Sequence, residues 1–212
     1  MSKHPDLTGL RVFITGAARG LGKSMAQKLA ECGATVAVTD LVLAECEAVV
    51  EVIRRNGGNA HAYAVDVTVR KLYMAAAATF AAQCDGRIDA VISNAMLLKY
   101  EPVEQITEET LSRMTAIGIN GSMWGAQALL AHYDPARGGA LINMASPVAE
   151  KGFPNTAAYS VVKGAIVTLT KVLAAELGPR NIRVNALAPG SVPTPGALGL
   201  NDKAEYERRT RT

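Results

Sequence analysis

The sequence predicts an α/β protein built on a doubly wound parallel sheet. Three observations carry that prediction. Short β-branched runs alternate with longer Ala- and Leu-rich segments along the whole chain. The first such run leads straight into a glycine-rich turn and then a helical pattern. No low-complexity segment, internal repeat or linker divides the 212 residues, a length that suits one sizeable domain.

Taken in order, the predicted strands are 11–15 (RVFIT), 35–39 (TVAVT), 60–65, 90–93 (AVIS), 140–144 (ALINM) and 183–187 (RVNAL). Their apolar runs suit strands buried on both faces. Helical patterns fill the gaps at 21–32, 42–55, 69–83, 108–133 and 155–177, the fourth with an interruption expected near 118–121. Strands separated by helices form βαβ units, and right-handed crossovers wind them into one sheet with helices on both faces.

Composition excludes several classes. The chain is 49% hydrophobic and only 5% aromatic, with a formal charge of +3. Arg208, Arg209 and Arg211 make a basic tail, but no basic stripe runs along the chain, so nucleic acid is not an expected partner. Cys32, Cys46 and Cys84 are odd in number and lack metal-type spacing, and His4, His61 and His132 are scattered. No metal site is expected. The N-terminus MSKHPDLTGL has no apolar signal region, and no run of about 18 apolar residues follows. No membrane partner is expected, and the expected location is cytoplasmic.

The first strand runs into TGAARGLGKSMAQKLA. Gly16, Gly20 and Gly22 stand as GxxxGxG at the mouth of a helix. A pyrophosphate can rest on a helix N-terminus only where the backbone comes close, and side chains there would block it. Asp40, at the end of the second strand, is placed to accept hydrogen bonds from the ribose hydroxyls of an adenosine. A carboxylate there would repel a 2′-phosphate, which favours NAD over NADP. Arg19 argues the other way, since a cation could meet that phosphate, but the carboxylate carries more weight. The run LGKS resembles the end of a nucleotide-triphosphate loop, GxxxxGK[ST]. That pattern needs glycine at position 17, where Ala17 stands, and Asp89 begins its strand rather than ending it.

Residues 157–163 read AAYSVVK. Tyr159 and Lys163 lie one helical turn apart on one face. Alone, that spacing is common. Ser146, however, closes the fifth strand, and in an open α/β sheet ligands bind at the carboxyl ends of the strands. The glycine loop and Ser146 should therefore face one crevice. A Ser–His–Asp hydrolase is disfavoured, because no GxSxG occurs and no histidine has a place in that crevice.

Together TGAARGLG, Asn94-Ala95, Asn120, Ser146, YSVVK and Pro189-Gly190 resemble the short-chain dehydrogenase/reductase family, over about residues 7–194. The resemblance implies a Rossmann-type fold and nicotinamide-dependent hydride transfer between a small alcohol and its ketone. It implies that Tyr159 is the general acid/base, that Lys163 lowers the Tyr159 pKa and holds the nicotinamide ribose, and that Ser146 holds the substrate oxygen. Asn120 would place a water that relays the proton to Lys163. The cofactor would be held by Gly16, Arg19, Gly20, Leu21, Gly22 and Asp40, by Asp66 and Val67 near the adenine, by Asn94 and Ala95, by Tyr159 and Lys163, and by Pro189, Gly190, Val192 and Thr194. A free tyrosine titrates near ~10. A cation about 5 Å away at an effective dielectric of 20 contributes roughly 3 kcal/mol, most of what a base near neutrality needs.

The chain departs from the pattern at two places. Where the family carries Asn-Asn-Ala-Gly after strand four, this chain has SNAM, so Ser93 and Met96 do not match. Met96 puts a long, flexible side chain where glycine allows close approach. Beyond the Pro-Gly loop the family has a lid segment, a helix and a seventh strand, whereas this sequence stops at ERRTRT. Strand six would then be an open edge, and a covering partner or further residues are expected. Pro147, Val148, Phe153, Met96, Leu97 and Leu98 suggest an apolar pocket for the substrate. Relatives imply a homodimer or homotetramer through the helices around 118–133 and 157–177. Two alternatives stay open: an NADPH-dependent ketoacyl-type reductase, and a dinucleotide-binding sensor or scaffold without turnover.

Overall fold

The computed structural model describes residues 5–192 and Thr194. Among these residues six strands form one parallel sheet: β1 (Arg11–Thr15), β2 (Thr35–Asp40), β3 (Asn59–Ala64), β4 (Ala90–Ser93), β5 (Gly139–Met144) and β6 (Ile182–Leu187). Their order is β3-β2-β1-β4-β5-β6. The chain starts in the middle at β1, runs outward to β3, returns to β4 beside β1, and runs outward the other way. The crevice of a doubly wound sheet opens at that reversal, between the carboxyl ends of β1 and β4.

Six described α-helices cover the sheet: α1 (Gly20–Glu31), α2 (Leu43–Arg55), α3 (Arg70–Ala82), α4 (Glu108–Thr115), α5 (Gly121–His132) and α6 (Ala157–Leu177). β1 shows why the strands read as continuous apolar runs. Successive side chains point to opposite faces. Phe13 enters the core under α3, α5 and α6 with Tyr73, Phe80, Leu129 and Leu177. Val12 and Ile14 enter the core under α1 and α2 with Ala26, Ala30, Val50 and Ile53. Both faces are buried, so the strand has no polar side.

Each predicted element forms, most with bounds shifted by a residue or two. The start of α6 has a specific cause. Asn155 sits at φ 63°, the left-handed region that a right-handed helix cannot include, so the helix begins at Ala157 and not at 155. The long helix expected at 108–133 is interrupted as anticipated. A π-helical segment, Ala116–Asn120, joins α4 to α5. Ser122 Oγ donates to the Gly118 carbonyl at 2.7 Å, a local bond that competes with the regular ladder.

Among the described residues β6 is an edge strand, as expected. One of its faces is covered by α6, through Leu173 and Leu177 against Ile182 and Val184. No described helix is long and apolar enough to cross a membrane.

Candidate active site

The loops after β1 and β4 are tied together before any ligand is considered. Thr15 Oγ1 accepts from the Asn94 and Ala95 backbone N–H groups at 3.0 and 3.1 Å. The Asn94 side-chain amide donates to the Thr15 and Gly16 carbonyls, both at 2.9 Å. This clamp fixes the mouth of the crevice.

Above it lies a cavity of about 810 Å³. It is lined by Gly16, Arg19, Gly20, Leu21, Asp40, Asp66, Val67, Asn94, Ala95, Ser146, Tyr159, Lys163, Pro189, Gly190, Val192 and Thr194. The structure thus brings together nearly every residue singled out in the sequence, from the ends of all six described strands and from α1 and α6. Leu97, Leu98, Met96, Pro147, Val148 and Phe153 line the same cavity, giving one region an apolar wall.

Two residues of the expected set do not line it. Gly22 lies beneath the loop: a Cβ there would stand 2.1 Å from the Gly16 carbonyl oxygen and 2.6 Å from Asn94 Nδ2. Its glycine is demanded by the approach of α1 to the β1 loop, not by a ligand. Asn120 ends the π-helical segment. The backbone of that segment that faces α6 is Gly118, where a Cβ would meet Val162 Cγ1 at 2.4 Å.

The carboxylates are held in fixed orientations. Asp40 accepts from the Ala18 N–H at 3.2 Å and from the Leu41 N–H at 2.9 Å. Asp66 Oδ1 accepts from the Thr68 N–H at 2.9 Å and its hydroxyl at 2.7 Å. Gly20, at φ 55°, opens α1, and a Cβ there would meet nothing nearer than the Thr194 side chain at 3.6 Å. The open backbone there leaves a cradle at the helix N-terminus. Cavities of about 300–1,000 Å³ hold small molecules and cofactors, and the donor set fits a dinucleotide: N–H groups at a helix start, a carboxylate at a strand end, and a lysine at the far side.

The reacting end consists of Ser146, Tyr159 and Lys163. Lys163 is 3% exposed. Its ammonium donates to the Met144 carbonyl at 2.5 Å and lies 5.5 Å from the centroid of the Tyr159 ring. Burial lowers the Lys163 pKa from 10.5 to about 8. Tyr159 moves the opposite way to the expectation. Burial, and then the neighbouring Tyr100, raise its pKa to about 12, while a hydrogen bond with Ser146 acts to lower it. Burial leads, and the Tyr159 ring meets Tyr100 edge-on at 5.7 Å and 64°. In this arrangement Tyr159 is a neutral phenol, a proton donor held beside Ser146.

Sequence reasoning missed one wall of the cavity. Ser112, Arg113, Ala116 and Ile117 line it; Arg113, Ala116 and Ile117 stand at i, i+3 and i+4, a helix-face spacing that could have marked them. Tyr100 also lines it, but it lies between β4 and α4 in a stretch without periodicity. Ser93, one of the two unmatched positions, is explained by packing. It is 7% exposed, and a Cβ on Gly125 of α5 would stand 2.7 Å from its Oγ, so a small side chain suits that contact.

A family model described as short chain dehydrogenase matches residues 11–205. A cyclopentanol dehydrogenase of Comamonas testosteroni is 36% identical over 197 residues, covering 93% of this chain and 78% of that protein. A trans-4-hydroxycyclohexanecarboxylate dehydrogenase of Sinomonas cyclohexanicum is 38% identical over 207 residues, covering 94% of this chain and 79% of that protein. Among solved structures, a dehydrogenase/reductase from Sinorhizobium meliloti 1021 superposes with a TM-score of 0.89 at 32% identity, covering 96% of this chain and 80% of that one.

Proposed function

This chain belongs to the short-chain dehydrogenase/reductase family, and from that premise we propose that it transfers hydride between NAD and a secondary alcohol or its ketone, with Tyr159 as general acid/base. The observation that carries the reading is a single cavity in which the glycine loop and Asp40 share walls with Ser146, Tyr159 and Lys163. A pure dinucleotide-binding sensor has no need of a buried phenol, hydroxyl and ammonium in one place.

When bound, the nicotinamide supplies the hydride donor or acceptor and, in its oxidised form, a positive charge. The chain's own residues handle the proton. Ser146 holds the substrate oxygen beside the Tyr159 hydroxyl. In the reducing direction the neutral phenol donates its proton to that oxygen. In the oxidising direction it must first become a phenolate, which the Lys163 ammonium, 5.5 Å from the ring centroid, favours; two opposite charges about that far apart at an effective dielectric of 20 attract by about 3 kcal/mol. Burial opposes this. The protein alone thus favours the proton-donating form, and alcohol oxidation should quicken as pH rises.

The Asp40 carboxylate, fixed by two backbone N–H groups, supports NAD over NADP, since a phosphate facing it would be repelled. The apolar wall of Met96, Leu97, Val148 and Phe153 supports an alicyclic or similarly compact apolar alcohol, in keeping with the names of the two relatives. The reading places one catalytic domain across the chain, working as a homodimer or homotetramer.

The test is turnover of an alcohol panel, from 2-propanol to cyclopentanol and cyclohexanol, with NAD or NADP, followed by reduced-nicotinamide absorbance. NAD-linked oxidation of the cyclic alcohols is expected. An Asp40→Ala change should narrow the preference for NAD by about tenfold or more; unchanged preference would remove Asp40 from cofactor selection. Cofactor binding without turnover of any alcohol would favour the sensor reading.

A further inference from the structure

Tyr100 lies in the loop between β4 and α4, and its neighbours on both sides are tied down. Lys99 Nζ donates to Thr110 Oγ1 on α4 at 3.2 Å and pairs with Glu101 Oε1 at 2.6 Å. The Glu101 N–H donates to the Asn155 carbonyl, just before α6, at 2.8 Å. The loop is thus anchored to α4 on one side of Tyr100 and to the approach of α6 on the other. Between these anchors the Tyr100 ring meets the Tyr159 ring edge-on, with centroids 5.7 Å apart and planes at 64°, a favoured geometry for an aromatic pair. Both residues line the cavity. The Lys163 ammonium stands 5.5 Å from the Tyr159 centroid, and Tyr159 packs against an apolar cluster of Met114, Ala145, Ala158, Val162 and Ile166.

Among the described residues, the polar and titratable groups facing Tyr159 come from three elements. Lys163 comes from α6, Ser146 from the turn after β5, and Tyr100 from the loop after β4. We propose that Tyr100 is a positioning residue for the proton transfer: its ring, held between α4 and α6, aims the Tyr159 hydroxyl at Ser146 and keeps bulk water from it. A phenol kept from water ionises less readily, because its charged form loses solvation. Burial is the leading cause that raises the Tyr159 pKa, with Tyr100 next and the Ser146 bond opposing. Removing the Tyr100 ring should therefore have two effects of different kinds. The hydroxyl loses its aim, which slows transfer at every pH. It also gains water, which lets it ionise at lower pH. A residue that only supported the fold would give the first effect without the second.

This inference rests on the reading of Tyr159 as the reacting phenol, but the hold of the ring on it can be measured without turnover. The first measurement is an NMR titration of ζ-13C-labelled tyrosines in the full chain, the Tyr159 signal being the one lost in Tyr159→Phe. The parent Tyr159, with a pKa raised to about 12, should be about one-tenth ionised at pH 11. In Tyr100→Ala the midpoint should fall by about one unit, leaving about half ionised at that pH. Tyr100→Phe keeps the ring and should lower the midpoint by less than about half as much. A Tyr100→Ala midpoint equal to the parent's overturns the proposal. So does a Tyr100→Phe midpoint as low as that of Tyr100→Ala, since the hydroxyl and not the ring would then be responsible. Should Tyr100→Ala not fold, Tyr100→Leu should shift the midpoint the same way. The second measurement is the pH dependence of NAD-linked cyclopentanol oxidation. Tyr100→Ala should lower the plateau kcat about tenfold, with cofactor Kd within about threefold of the parent, and move the midpoint down by about one unit. Tyr100→Phe should restore the plateau to within about threefold. A lowered plateau with an unmoved midpoint would overturn the proposal. A parent that oxidises no alcohol would defeat the functional reading, while the NMR titration still decides the role of the ring.

Discussion

The loops after β1 and β4 open onto the same cavity, yet they are specified in different ways. The demands of the first are local. Gly16 and Gly20 sit at φ 63° and 55°, and Gly22 must lack a Cβ because the Gly16 carbonyl is in its place. All three demands fall within a few residues, so spacing alone displays them. The second loop is specified by contacts distant in sequence. Met96 meets Gly118, and Gly118 meets Val162. The lesson is that a motif made of backbone geometry can be read from one strand–turn–helix unit. A motif made of side chains filling one another's space cannot.

The comparison can be broken at either loop. The largest stability loss is expected in the first, because backbone cannot yield. Gly22→Ala places a methyl 2.1 Å from the Gly16 carbonyl oxygen and should cost about 3 kcal/mol or more, read as a lower melting temperature. Were Gly22→Ala to melt with the parent, the first loop would not be locally specified. In the second, a side chain can be removed to make room. Gly118→Ala meets Val162 Cγ1 at 2.4 Å and should cost about 2 kcal/mol. Adding Val162→Ala should return about 1 kcal/mol of that in a double-mutant cycle. Additive effects would mean that the two positions do not interlock.

A smaller and opposite effect is expected at Lys163. Its pKa falls from 10.5 to about 8 in the folded protein, so the folded state binds fewer protons between those values. Stability attributable to this group is present above 10.5 and lost as pH falls through 8. Lys163→Met should therefore stabilise the fold at pH 6.5, by at most about 3 kcal/mol. The lost bond to the Met144 carbonyl offsets about 1 kcal/mol of that. The gain should shrink toward pH 10. Thermal melts at both pH values check it, and a gain that grows with pH would contradict the assignment.

Much of this was legible in the sequence. Strand and helix order followed from apolar runs, since β1, β2, β4 and β5 are buried on both faces. Asp40, Ser146 and the Tyr159–Lys163 pair could be placed in one crevice because strand ends converge there by topology. Two things were not legible. The proton affinity of Tyr159 depends on its burial and on Tyr100, which no periodic pattern marks. The fit of Ser93 depends on how closely α5 approaches β4 at Gly125.

The central claim is that Tyr159 moves the substrate proton within this cavity. It is tested most directly by the NAD-linked oxidation of cyclopentanol by the parent and by Tyr159→Phe, with cofactor affinity measured alongside. Tyr159→Phe keeps the ring against Tyr100 and removes only the hydroxyl. Its kcat should fall by about 10²–10⁴, with cofactor Kd little changed. A Tyr159→Phe protein that oxidises the alcohol at the parent's rate would contradict the account.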